Sequence, residues 1–330
     1  MPAVSLAYVQ DEEIVTDGWG AEPDTLFQAA SISKPVSALL ALCLVADGTL
    51  LLDDDIATVM CSWSLPPLET NDGAGSQAIT LRRLLCHAAG LGVHGFPGYA
   101  RGEQIPTLLD ILDGRPPANS PPIRREGRPG LAAVYSGGGY TVLQQLIEDA
   151  SERPFGDLAA ERIFAPLEMN SATFEQPIPP DLEARVAPAF SQGRQIDGGW
   201  HVYPELAAAG LWCRPTDLVR FAIGVQSAFD GERGALIPQW LAAQLMTPHF
   251  RGWGLGVTLH GTPEDPHFGH TGGNAGYRCE LFASAHHGPV AAVMTNSDEG
   301  GELVPAMLNH LAPHLGWTAD TREELDAQSD

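Results

Sequence analysis

Apolar and polar residues alternate in Val4-Ser5-Leu6-Ala7-Tyr8-Val9 and return at Ile14-Val15, with the acidic stretch Gln10 to Glu13 between them. A period of two with a polar break predicts a β-hairpin. The period then changes. Val36, Leu39, Leu40, Cys43 and Leu44 fall at helical spacing between Ser31-Ile32-Ser33-Lys34-Pro35 and Asp47-Gly48. That predicts a buried helix capped by the serines, with Pro35 in the first turn, where its missing N–H costs little, and Gly48 as the stop. From about residue 55 to 205 short helical patterns (81–85, 141–150 and 155–164) are separated by Pro- and Gly-rich loops. A further helix is expected from Pro215 to Val225. Strand patterns return at Gly254 to Leu259, Tyr277 to Ala283 and Val290 to Thr295. A last apolar helix, Leu303 to Leu315, precedes an acidic tail, Thr318 to Asp330, expected to fray.

Strands at both ends and helices between them predict an α+β fold, with an antiparallel sheet built from the two termini and a mainly helical segment inserted between its halves. The expected division is a discontinuous sheet domain of residues 1–55 and 206–330, and an inserted domain of residues 56–205. The two would meet along a cleft.

Composition narrows the function classes. The chain has 330 residues, 44% of them hydrophobic, enough to bury a sizeable core. Gly and Pro make up about a fifth, which means many loops without reaching the composition of disorder. A net charge of -23 argues against nucleic acid and anionic bilayers as partners, because both would be repelled. The five cysteines form no C-x-x-C pair, so neither a disulfide framework nor a zinc site follows from them. The opening MPAVSLAYVQ has no basic or apolar leader character, and the longest apolar run, Val36 to Ala46, is too short to span a bilayer. A soluble, cytoplasmic protein is the expectation, although a chain with its leader removed would look the same. Oligomeric state is not legible.

The sharpest chemical feature is Ser31-x-x-Lys34. At a helix start, residues three apart share a face, so the amine reaches the hydroxyl. A neutral lysine can take the serine proton, and desolvation or nearby positive potential supplies the neutrality. Ser-x-x-Lys also arises by accident. Composition changes its weight: the chain holds 17 arginines and one lysine, and that lysine sits in an apolar helix start where an arginine, always protonated, cannot act as a base.

Two further segments invite attention. Tyr135-Ser136-Gly137 precedes a helical pattern through three successive glycines. It reads as a glycine turn with a packing tyrosine, or as a proton relay if a cation lowers the phenol pKa. His270-Thr271-Gly272-Gly273 reads as a hairpin turn, or as a stretch where glycines let a substrate lie against a strand. His260, His267, His270, His286 and His287 lack the carboxylate or cysteine pattern of a metal site, so no metal or other cofactor is expected.

These three segments, in this order, resemble the motifs of the penicillin-recognising serine hydrolases, in the branch holding class C β-lactamases, D-alanyl-D-alanine carboxypeptidases and related esterases and amidases. Residues 27–35, 79–91, 163–169, 210–212 and 216–221 also look like that family's recurrent segments, so the resemblance covers nearly the whole chain. It implies a sheet flanked by helices, a helical domain, and a site between them. Carried over, Ser31 is the acylated nucleophile, Lys34 its activating partner and Tyr135 the general base and proton relay. The backbone N–H groups of Ser31 and Gly273 form the oxyanion hole, and His270, Thr271, Gly272 and Gly137 line the substrate site, where His270 binds a substrate carboxylate or orients Tyr135.

Two departures stand out. Gly137 replaces an asparagine common among relatives, and His270 replaces the lysine usual in β-lactamases. Both argue against efficient β-lactam hydrolysis. The loop Gly92 to Tyr99 is either cleft rim or plain structure. The resemblance implies a serine hydrolase acting through a Ser31 acyl-enzyme on a small-molecule or short-peptide substrate, foremost a D-amino-acid peptide or amide. A short-chain esterase or β-lactamase-like activity, acyl transfer, and a non-catalytic ligand sensor or scaffold are the alternatives.

Overall fold

The computed structural model describes residues 1–66, 78–250, 252–262, 264–317 and 321. The tail expected to fray therefore lies, apart from Thr321, outside the described residues.

Six strands form one sheet: β1 (Val4–Gln10), β2 (Glu13–Trp19), β3 (Thr258–Gly261), β4 (Pro266–Asn274), β5 (Tyr277–Ser284) and β6 (Val290–Thr295), in the order β2-β1-β6-β5-β4-β3. All neighbours are antiparallel. The first strand pairs with the last, with Val4 opposite Thr295 and Leu6 opposite Val293. The hairpin and the sheet built from the two termini are thus as the alternation predicted.

The helices packed against the sheet or against one another include α1 (Ser33–Ala46), α2 (Gly137–Ser151), α3 (Leu206–Ala209), α4 (Pro215–Phe229) and α5 (Gly300–Leu311). The period-two pattern divides the sheet into two apolar faces. Leu6, Phe282, Ala291 and Val293 pack under Val304 and Leu308 of α5. Their strand neighbours Ala7, Leu281, Ala292 and Met294 join a larger core on the opposite side, together with α1 and α4. Twelve of the 14 residues of α1 are buried, so it runs through the interior instead of lying on it. No helix among the described residues is long and apolar enough to cross a membrane.

Several elements depart from expectation. The serines do not cap α1. Its cap residue is Ile32, without a side-chain cap bond, because a 3-10 turn, Ala30–Ile32, runs directly into the helix. The Ser33 hydroxyl instead donates to the Ala30 carbonyl at 2.5 Å and accepts from the Leu211 N–H at 3.0 Å. Gly48 does close the helix, at φ +82°. The glycines at 137–139 belong to α2 itself, whose cap is Ser136, its hydroxyl accepting from the Gly139 N–H at 2.8 Å. The strand expected from Gly254 starts only at Thr258. Residues 270–273, read as a possible turn, lie inside the nine-residue β4. Pairing with β5 along its length overrides the low β propensity of the glycines.

One buried residue has no counterpart in the sequence reading. Glu205, directly before α3, is fully buried, and neither carboxylate oxygen has a hydrogen-bond partner among the described residues.

Candidate active site

The turn that replaces a conventional cap sets the geometry of Ser31. Ala30 adopts φ +49°, and Ser31 follows it half-exposed in the middle of the 3-10 turn. One helical turn later the Lys34 ammonium donates to the Ser31 hydroxyl at 3.0 Å and to the Ala208 carbonyl of α3 at 2.8 Å. Lys34 is only 2% exposed, and burial pulls its pKa from 10.5 down to about 7. Desolvation penalises the ammonium, so near neutral pH a large share of Lys34 is the free amine.

Tyr135 lies across from this pair. The Lys34 nitrogen is 4.9 Å from the centre of its ring. Burial raises the phenol pKa well above its usual value, against the opposing pull of a hydrogen bond with Ser31. Tyr135 is therefore a protonated phenol at neutral pH. The cation does not turn it into a ready-made phenolate.

The third segment forms the opposite wall. β3 pairs with β4 only as far as Gly269 opposite Thr258, so beyond that point β4 passes the Ser31 turn instead of another strand. Gly272 is required for the approach, because a Cβ there would stand 2.4 Å from the Ala29 carbonyl oxygen and 2.5 Å from Cys279 Sγ. Asn274, two residues on and on the same face, donates to Gln28 Oε1 at 2.7 Å and to the Ala209 carbonyl at 3.1 Å, which ties β4 to α3. Thr271 and Gly273 alternate with these and are exposed.

His270 is buried, with Nδ1 on the Thr271 carbonyl. Burial, then the Lys34 charge, lowers its pKa to about 3. As a neutral ring it brings no positive charge to a substrate carboxylate. Its ring centre lies 6.1 Å from that of Tyr135.

Gly137 is placed differently from the other site candidates. It is buried beneath the 92–99 loop, its N–H bonded to the His94 carbonyl at 2.9 Å, and a Cβ would stand 2.9 Å from that oxygen and 3.1 Å from the Phe96 ring. The loop occupies the space a side chain would need. The same loop brings the exposed His94 ring to 4.8 Å from Tyr135, so it belongs to the rim of the site.

The ring cluster around Tyr135 is not foreshadowed in the sequence. Beside His94 and His270 it contains His87, at 4.4 Å, and Trp253, at 5.8 Å. His87 lies within the family-like segment 79–91, which was the available signal. Trp253 follows no recognisable pattern.

A helix-flanked antiparallel sheet, with a serine and a desolvated lysine at the start of its buried helix and a tyrosine facing them, defines the class of β-lactamase-fold serine hydrolases. Residues 1–313 match the family model described as Beta-lactamase, and the chain belongs to that family. Penicillin-binding protein 4 of Amycolatopsis lactamdurans is 28% identical over 325 residues, covering 92% of this chain and 80% of that protein. D-aminopeptidase of Brucella anthropi is 25% identical, over 99% of this chain but 62% of its own length. The solved structure of the D-amino acid amidase from Ochrobactrum anthropi SV3, complexed with L-phenylalanine amide, is similar with a TM-score of 0.66 at 25% identity, covering 89% of this chain and 86% of that one.

Proposed function

We propose that the protein hydrolyses D-amino-acid amides or short D-peptides through an acyl-enzyme on Ser31. The observation that carries this reading is the 3.0 Å contact between the Ser31 hydroxyl and a buried lysine, a large share of whose amine is free near neutral pH. Lys34 takes the Ser31 proton as Oγ bonds to the substrate carbonyl carbon. The carbonyl oxygen becomes an oxyanion, received by the Ser31 and Gly273 N–H groups. Tyr135, a phenol, gives its proton to the departing amine as the C–N bond breaks, and is reprotonated from Lys34. Water then attacks the ester, giving a proton back through the same pair, and Ser31 is released as the hydroxyl. The D-amide preference rests on the names of two relatives, a D-aminopeptidase and a D-amino acid amidase.

The test joins a covalent readout to a substrate panel. A fluorophosphonate should add once, on Ser31, by intact mass, and D-amino-acid amides should turn over faster than their L enantiomers. Undiminished turnover by Ser31→Ala would overturn the mechanism, and faster turnover of L-amides the substrate class.

A second reading is a short-chain esterase, favoured by Gly137. The loop above it leaves no room for a side chain at position 137 to contact a substrate amide, and an ester needs none. A kcat/KM for p-nitrophenyl acetate exceeding that for every amide by orders of magnitude would select it.

A further inference from the structure

We propose that His87 is the positioning residue for Tyr135, holding the phenol against Lys34 and Ser31 by gripping the residues on both sides of it. This rests on the role given to Tyr135 above. His87 adopts φ +58°, the left-handed region that a non-glycine residue occupies at a cost unless its surroundings fix it. That conformation turns its backbone and its ring toward the same segment. The His87 carbonyl accepts the Val134 N–H at 2.9 Å. Its Nδ1 accepts the Ser136 N–H at 3.2 Å. Between those two bonds, the imidazole lies 4.4 Å from the Tyr135 ring, tilted by 35°. Three successive residues are thus held by one.

The ring is itself held. Its centre lies 4.6 Å from that of Trp253, edge-on, and 5.3 Å from that of Tyr140. The Tyr140 hydroxyl in turn donates to the Leu85 carbonyl, two residues before His87, at 2.9 Å. Because Nδ1 accepts a backbone proton, the imidazole carries its own proton on Nε2 and is neutral. Burial, with the charge of Lys34 behind it, keeps it so. A neutral ring can lie beside the lysine and orient the tyrosine without competing for the proton that passes between them.

Two substitutions separate the parts of this grip. His87→Phe keeps a ring against Tyr135 and removes the acceptor for Ser136. His87→Asn restores a short acceptor, tolerates the left-handed backbone, and removes the ring. With Tyr135→Phe as reference, kcat and KM are measured for the substrate that turns over, alongside melting temperature. The expected result is a fall in kcat of tenfold or more for His87→Phe with KM within twofold, and partial recovery in His87→Asn. In the Tyr135→Phe background, His87→Phe should add no further loss, because it acts through the phenol. Wild-type kcat in a folded His87→Phe, or an undiminished loss in the Tyr135→Phe background, would overturn the inference. Should His87→Phe not fold, His87→Asn in both backgrounds gives the same comparison. Wild-type turnover by Tyr135→Phe would instead overturn the role of Tyr135 itself, while an inactive Tyr135→Phe beside a fully active His87→Phe would sink only the role of His87.

Discussion

Replacing Glu205 by Gln should stabilise the protein, increasingly so as the pH rises from about 4.5 to about 8. Glu205 is fully buried, with both oxygens unpartnered among the described residues, and burial raises its pKa from 4.5 to about 8. The folded chain therefore keeps this proton up to about pH 8, whereas the unfolded chain releases it near 4.5. Between those values unfolding releases a proton, so stability is lost as the pH rises, and above the upper value the loss is constant. Across the whole window it amounts to on the order of 5 kcal/mol, a large part of the 5–15 kcal/mol typical of a domain. Gln has nearly the same shape and cannot ionise. It still buries an amide, so the variant gains least at acid pH. Urea midpoints followed by circular dichroism at pH 5, 6.5 and 8 measure the difference, and titrations common to both proteins, including that of Lys34, cancel. Parallel stability curves, with the same difference at pH 5 and pH 8, would refute the reasoning and mean that the carboxylate already ionises in the fold.

The remaining predictions concern the site. With Lys34 titrating at about 7, kcat/KM for acylation should fall as the pH drops below that value, about tenfold per unit, and a flat profile down to pH 5 would count against a lysine base. Lys34→Arg should lower the rate of Ser31 labelling by about 10²–10⁴-fold, since arginine keeps its proton, and a loss under tenfold would contradict the role. Lys34→Met should raise the melting temperature at pH 6, where the buried lysine pays its full desolvation cost, with the gain shrinking as the pH rises from 7 towards 10.5; no gain at pH 6 would contradict the lowered pKa. Gly272→Ala, which sets a methyl 2.4 Å from the Ala29 carbonyl, should cost about 1–3 kcal/mol and slow Ser31 labelling, and an unchanged labelling rate would show that β4 tolerates the methyl without disturbing the turn.

What the sequence revealed and what it hid depend on the range of the interactions. Ser31 and Lys34 are three residues apart on one helical start, and their pairing is local, so spacing alone exposed it. The hairpin and the return of strands near the C-terminus were legible because alternation is written residue by residue. Tyr135 and Gly272 were visible only through the order of three segments and the family they resemble. His87 and His94, seven residues apart, and the distant Trp253 converge on one ring, and apart from the family-like segment holding His87 nothing local announces it. The cap differs from expectation because a serine before a helix usually bonds the helix N–H groups, whereas here a 3-10 turn occupies that place and frees Ser31. β4 was misread because its glycines, chosen for close approach, erase the strand pattern. Glu205, in Tyr-Pro-Glu-Leu, has the composition of a surface loop, and its burial is set by elements packed over it from elsewhere.

The pairing of β1 with β6 also bears on the order in which the fold can close. Ser31 and Lys34 precede the strand that walls them in by some 240 residues, and Val4 waits for Thr295 before β1 and β6 can pair. Contacts of such sequence separation slow folding, because a long loop must be closed before they form. The pair proposed to carry the chemistry, placed early in the chain, is thus given its second wall only by one of its last strands.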